Sequence, residues 1–142
     1  MLDERRLARG ALAMLILLLS ACSESRNVDV SGVVDAPADE SVTGPITVDF
    51  GEVTDGGTRP KPVLSLKLDA PSGFTETVNV SGDKLHVSAL VDENGDGRCT
   101  DGELWAEADT PINHYLTPGL DHDDGNDSAD SVALTLARAA CP

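Results

Sequence analysis

Aromatic side chains are nearly missing from this chain: two Phe, one Trp and one Tyr among 142 residues. A hydrophobic core must therefore be assembled from Val, Leu and Ile, and little is left to line a pocket for an organic substrate. Basic residues are scarce too, with 10 Lys and Arg against 25 Asp and Glu, for a net charge of −15. Such a chain repels nucleic-acid phosphates and anionic headgroups, so neither is expected as a docking partner. No apolar run approaches the ~20 residues a transmembrane helix needs; the run Ala11–Leu19 has nine. Also absent are a G-x-S-x-G elbow, an H-E-x-x-H pair and a glycine-rich phosphate loop, the short motifs that carry hydrolase and nucleotide chemistry. With no nucleophile beside a base and no open metal site in view, the chain is expected not to be an enzyme.

What is present begins at the N-terminus. Arg5, Arg6 and Arg9 form a basic head, the short apolar run follows, and Leu19-Ser20-Ala21-Cys22 ends it. This order resembles the signal peptide and lipobox of bacterial lipoproteins. The resemblance covers 22 residues. It implies that residues 1–21 are removed and that Cys22 is acylated, anchoring the chain to a membrane through lipid. Ser23 rather than aspartate follows, which in such lipoproteins goes with outer-membrane sorting. Residues 22–27 would then be the lipidated cysteine and a short tether, and 28–142 a single domain. Without residues 1–21 the chain keeps 7 basic and 23 acidic side chains, a net −16.

Residues 92–103 read DENGDGRCTDGE. They fit the D-x-[DN]-x-[DN]-G-x5-E pattern at every position and resemble an EF-hand-type calcium loop. The spacing has a physical reason: Ca²⁺ takes six to eight oxygens, so a short loop must turn several carboxyl, amide and carbonyl oxygens towards one point. The expected ligands are Asp92, Asn94, Asp96, the Arg98 carbonyl and Glu103, with Gly97 permitting the turn. Thr100 could contribute directly or through water, and Asp101 is an outside candidate. The upstream residues KLHVSALV alternate like a strand, so the resemblance is to the loop alone and no helix-pair opening is expected. A plain hairpin turn would explain Asn94-Gly95 and Asp96-Gly97, but it requires neither Asp92 nor Glu103.

Three cysteines divide into one lipidated Cys22 and a pair, Cys99 and Cys141, expected to be a disulfide in an oxidising compartment. Closing a loop of that length removes roughly 3.5–4 kcal/mol of denatured-state entropy in the chain-entropy model.

Period-two alternation marks strands at Val28–Val34, Pro45–Val53 (through Ile46, Val48 and Phe50), Leu64–Leu68, Val78–Val80 and Leu85–Val91, with further strands at Leu104–Glu107 and Val132–Leu136. About seven short strands, turn signals between them and no amphipathic helix predict an all-β fold. The expected form is a small antiparallel β-sandwich, Ig-like or transthyretin-like. The acidic stretch 121–130 is expected to be a solvated loop, His86 to face solvent, and His114 and His122 to be ordinary surface histidines. Together these readings describe an outer-membrane-anchored module, stabilised by Ca²⁺ and a disulfide, that meets an unidentified envelope protein. The alternatives are a divalent-cation buffer or sensor, or a small carrier or accessory subunit.

Overall fold

The computed structural model describes residues 25–53, 60, 62–113 and 126–142. The stretch expected to be a signal peptide, with Cys22, and residues 121–125, with His114 and His122, lie outside them. Among the described residues every regular element is a strand: β1 (Arg26–Asp35), β2 (Ile46–Glu52), β3 (Pro62–Leu68), β4 (Gly73–Val80), β5 (Lys84–Val91), β6 (Leu104–Asn113), β7 (Asp127–Ala129), β8 (Val132–Thr135) and β9 (Ala137–Arg138).

The strands run in the order β3-β2-β5-β6-β7-β1-β4, with β8 also beside β1 and β9 beside β6. β6 joins the two layers. Its residues Leu104–Pro111 pair with β5, whereas Ile112 and Asn113 pair with β7. The crossing falls at Pro111, which has no N–H to give to a ladder. The outcome is a small β-sandwich rolled towards a nearly closed barrel. Most pairs are antiparallel, as expected, but β1 pairs in parallel with both β7 and β8.

Alternation places the core. Val28, Val30 and Val34 of β1, Val78 and Val80 of β4, and Leu134 of β8 point inward from one layer; Ile46, Val48, Phe50, Leu85 and Val87 answer from the other, each at most 1% exposed. The strand expected at Val132–Leu136 ends one residue early, at Thr135, although Leu136 keeps the alternation and is buried between β8 and β9. β7 is a correction to the expected solvated loop at 121–130. Asp127 is buried at 3% exposure, and Arg26 approaches it at 2.8 Å, so a neutralised carboxylate holds a strand within an acidic stretch.

Both phenylalanines meet in the core. Phe50 and Phe74 stand edge to face with ring centroids 5.6 Å apart, bridging the layers. Phe74 lies directly across from Gly32 in the β1–β4 register. A Cβ on Gly32 would come within 2.5 Å of the Val132 carbonyl oxygen and closer still to the Phe74 ring. Glycine therefore leaves the space the ring fills. Gly32→Ala is expected to lower stability by about 1–3 kcal/mol in denaturant unfolding, the usual cost of overpacking. Adding Phe74→Leu should recover only part of that loss, since it leaves the Val132 carbonyl where it is; equal stability of Gly32→Ala and wild type would contradict this packing.

Candidate calcium loop

The paired residues Val91 and Leu104 close a hairpin whose connection is the twelve-residue stretch 92–103. The backbone turns where the sequence supplies glycine: Gly95 has φ +78° and Gly97 φ +73°, a region costly for any residue with a Cβ. Space does not restrict these positions, because an added Cβ would meet nothing within 4 Å. The demand is conformational.

The loop is laced by its own acidic side chains. Asp92 Oδ1 accepts hydrogen bonds from the amides of Gly95 (2.7 Å) and Asp96 (3.1 Å), and Oδ2 from Gly97 (2.7 Å). Asn94 Oδ1 accepts from the Asp96 amide at 2.8 Å, and Asp96 Oδ1 from the Arg98 amide at 2.8 Å. The Thr100 hydroxyl lies between them, accepting from Asn94 Nδ2 at 3.0 Å and donating to Asp96 Oδ2 at 3.3 Å. Glu103 is only 5% exposed. Its Oε1 accepts from the amides of Glu93 (2.9 Å) and Asn94 (3.2 Å), and its Oε2 from Thr100 (2.9 Å).

The sequence spacing thus brings Asp92, Asn94, Asp96 and Glu103 into one loop. Asp92 Oδ2, Asn94 Oδ1, both Asp96 oxygens and Glu103 Oε2 each accept a single hydrogen bond, so each keeps a lone pair. These are hard oxygens of the type Ca²⁺ selects. Among the described residues, no three His, Cys, Asp or Glu side chains are gathered as closely as a shared ion requires. The donor types and the glycine conformations fit the ion; the carboxylates here are turned to amides.

A second set of contacts holds the loop from outside. Cys99 and Cys141 form a disulfide across 42 positions. Asp101 does not face the ligand group but accepts from the Cys141 amide at 2.9 Å. Arg138 reaches Glu93 with Nη1 and Nη2, both at 2.9 Å, and also bonds the Gly102 carbonyl. Its Nε donates to both oxygens of Glu40, at 2.9 and 3.0 Å. Arg138, Glu93 and Glu40 were not legible as a site from sequence. Arg138 lies 98 positions from Glu40; the only pointer was a lone arginine near a cysteine expected to pair with the loop.

His86 is another correction. Its side chain is 13% exposed rather than open to solvent, with Nδ1 2.8 Å from Asp109 and Nε2 3.5 Å from Glu107. With Asp49 and Ser88 it borders an open cleft of about 340 Å³, whose far walls are Pro60, Pro62 and Gly97–Cys99.

No family model, curated protein or solved structure matches this chain.

The hydrogen bonds from Arg138 hold the Glu93 carboxyl below its ordinary value, partly offset by desolvation, and the same contacts raise Arg138. A depressed acid contributes stability above the ordinary carboxylate range and loses it as pH falls through its lowered value. An NMR titration should therefore show Glu93 protonating below an ordinary glutamate, and moving back upward in Arg138→Met. An unchanged Glu93 midpoint in that variant would contradict the clamp.

Proposed function

We propose that this chain is a lipid-anchored envelope protein whose β-sandwich is stabilised by Ca²⁺ and serves as a structural or binding module for another envelope protein. The observation that carries the reading is the complete calcium-loop pattern, Asp92 to Glu103, set in a hairpin whose glycines adopt the required positive φ. Asp92, Asn94, Asp96, the Arg98 carbonyl and Glu103 would hold the ion. Bound Ca²⁺ supplies two positive charges to a chain of net −16 after removal of residues 1–21, which relieves self-repulsion as well as fastening the loop. A lone loop without a helix partner belongs with the weak extracellular class, roughly 10⁻⁴ to 10⁻³ M.

The lipobox, Leu19–Cys22, supports the address. β1 begins at Arg26, four residues after Cys22, a reach of at most about 14 Å. Acylation at Cys22 would hold the domain against the membrane surface, so a partner must come to it.

Thermal unfolding tests the ion. In about 10 mM Ca²⁺ the midpoint should rise by roughly 5–10 °C over chelator, from ligand linkage at the affinity above. Mg²⁺ should give little, and Asp96→Ala should abolish the rise. One midpoint in all conditions would leave the loop a turn only. For the address, Cys22→Ala should move the protein from the membrane fraction to the soluble fraction; retention in membranes would contradict lipid anchoring.

A further inference from the structure

Leu136 is buried at 1% exposure, and its amide donates to the Asp35 carbonyl at 2.9 Å. The C-terminal segment therefore leaves the core at a fixed point. It then runs along the calcium loop and grips it repeatedly. β9 pairs Arg138 with Leu104 and Ala137 with Trp105, just past the loop's end. The Arg138 guanidinium joins Glu93 to the Gly102 carbonyl, near the two ends of the loop. Cys141 is bonded to Cys99 and donates its amide to Asp101.

We infer that this segment is a brace that positions the loop for Ca²⁺, so that affinity at the proposed site is set by the Cys99–Cys141 disulfide and by Arg138. The inference rests on the calcium reading above. Its physical ground is what the loop lacks: residues 93–98 are all exposed, so no core packing fixes them. A loop free at its outer edge must surrender conformational freedom as it closes on an ion, whereas a loop already held loses less. The hydrogen-bond partners of Arg138 among the described residues are Glu40, Glu93 and the Gly102 carbonyl, not the expected ligand side chains, so it is a positioning residue. Cys99 lies between Arg98, which would offer its carbonyl, and Thr100, which bonds Asp96, so the bridge acts in the middle of the ligand group.

The device is redox-dependent. A dithiol reductant opens the bridge through a mixed disulfide: one of its thiolates bonds a cysteine sulfur as the Cys99–Cys141 bond breaks, and its second thiolate then displaces that cysteine. Two electrons and two protons end on Cys99 and Cys141, and the dithiol becomes a cyclic disulfide. By linkage, whatever factor oxidation adds to Ca²⁺ affinity, Ca²⁺ must add to the disulfide's resistance to reduction. Trp105 offers a local reporter: it is the sole tryptophan, and its indole N–H donates to the Ala139 carbonyl of the brace at 3.3 Å.

The experiment is a Ca²⁺ titration of the full chain in mild detergent, oxidised, dithiol-reduced, and as oxidised Arg138→Met, followed by calorimetry and Trp105 emission. Far-UV circular dichroism checks that each form keeps its sheet. The expected result is roughly tenfold weaker binding after reduction, a smaller loss of about threefold in Arg138→Met, and a Trp105 emission change on reduction that Ca²⁺ partly reverses. The equilibrium constant for reduction should fall in saturating Ca²⁺ by the same factor as affinity. Equal affinity in all three forms would overturn the brace while leaving the calcium site standing. No binding by the oxidised chain up to 10-millimolar-order Ca²⁺, about ten times the weakest expected constant, would overturn both together.

Discussion

A carboxylate withdrawn from water must find donors, and Glu103, 5% exposed at the threshold of β6, finds them in the amides of Glu93, Asn94 and Thr100. These bonds span the loop and close it next to Leu104, which is 1% exposed in the core. The order of the connection thus depends on one acidic side chain that is at once a core neighbour and the last residue of the calcium-loop pattern. Asp92 does the same at the opposite end, accepting three amides. Between them they take up the amides of Glu93, Asn94, Gly95, Asp96, Gly97 and Thr100, and side-chain oxygens of Asn94 and Asp96 retain lone pairs.

Much of the fold was legible because alternation of Val, Leu and Ile survives the shortage of aromatics. β2, β3 and β5 were readable as HPHPH segments; the faces the pattern names are buried in β2 and β5 and half-buried in β3, with Ser88 of β5 buried besides. β7 was not readable, since Asp127 and Ser128 carry no hydrophobic signal; its pairing with β1 and β6, and the approach of the half-buried Arg26 to the buried Asp127, place it instead. The parallel placement of β7 and β8 beside β1 is a long-range choice that periodicity does not record. Gly32 could be read as a break in a strand, but only the facing ring of Phe74 shows its purpose.

The loop itself was legible because the calcium-loop pattern fixes residue type at fixed spacing, so twelve consecutive positions carry the signal. Its external support was not. Arg138 meets Glu93 from 45 positions away and Glu40 from 98, and nothing local marks any of them as partners. The disulfide was the exception, since counting cysteines left Cys99 and Cys141 as the pair. His86 was misread because alternation reports which face a residue occupies, not whether acidic neighbours and loops cover that face.

A dense negative charge, a lipobox-like stretch in the first 22 residues and a loop of hard oxygens together support the proposed picture. A cation would join the two ends of the connection between β5 and β6, and acylation at Cys22, as proposed, would keep the sandwich near a membrane surface. The stoichiometry of that cation separates this picture from a buffering role for the acidic surface as a whole. Isothermal titration of the oxidised protein with Ca²⁺ measures it most directly, beside Asp92→Ala. The account requires one ion per chain, lost in the variant. No binding heat, several ions per chain, or one ion that persists in Asp92→Ala would contradict it.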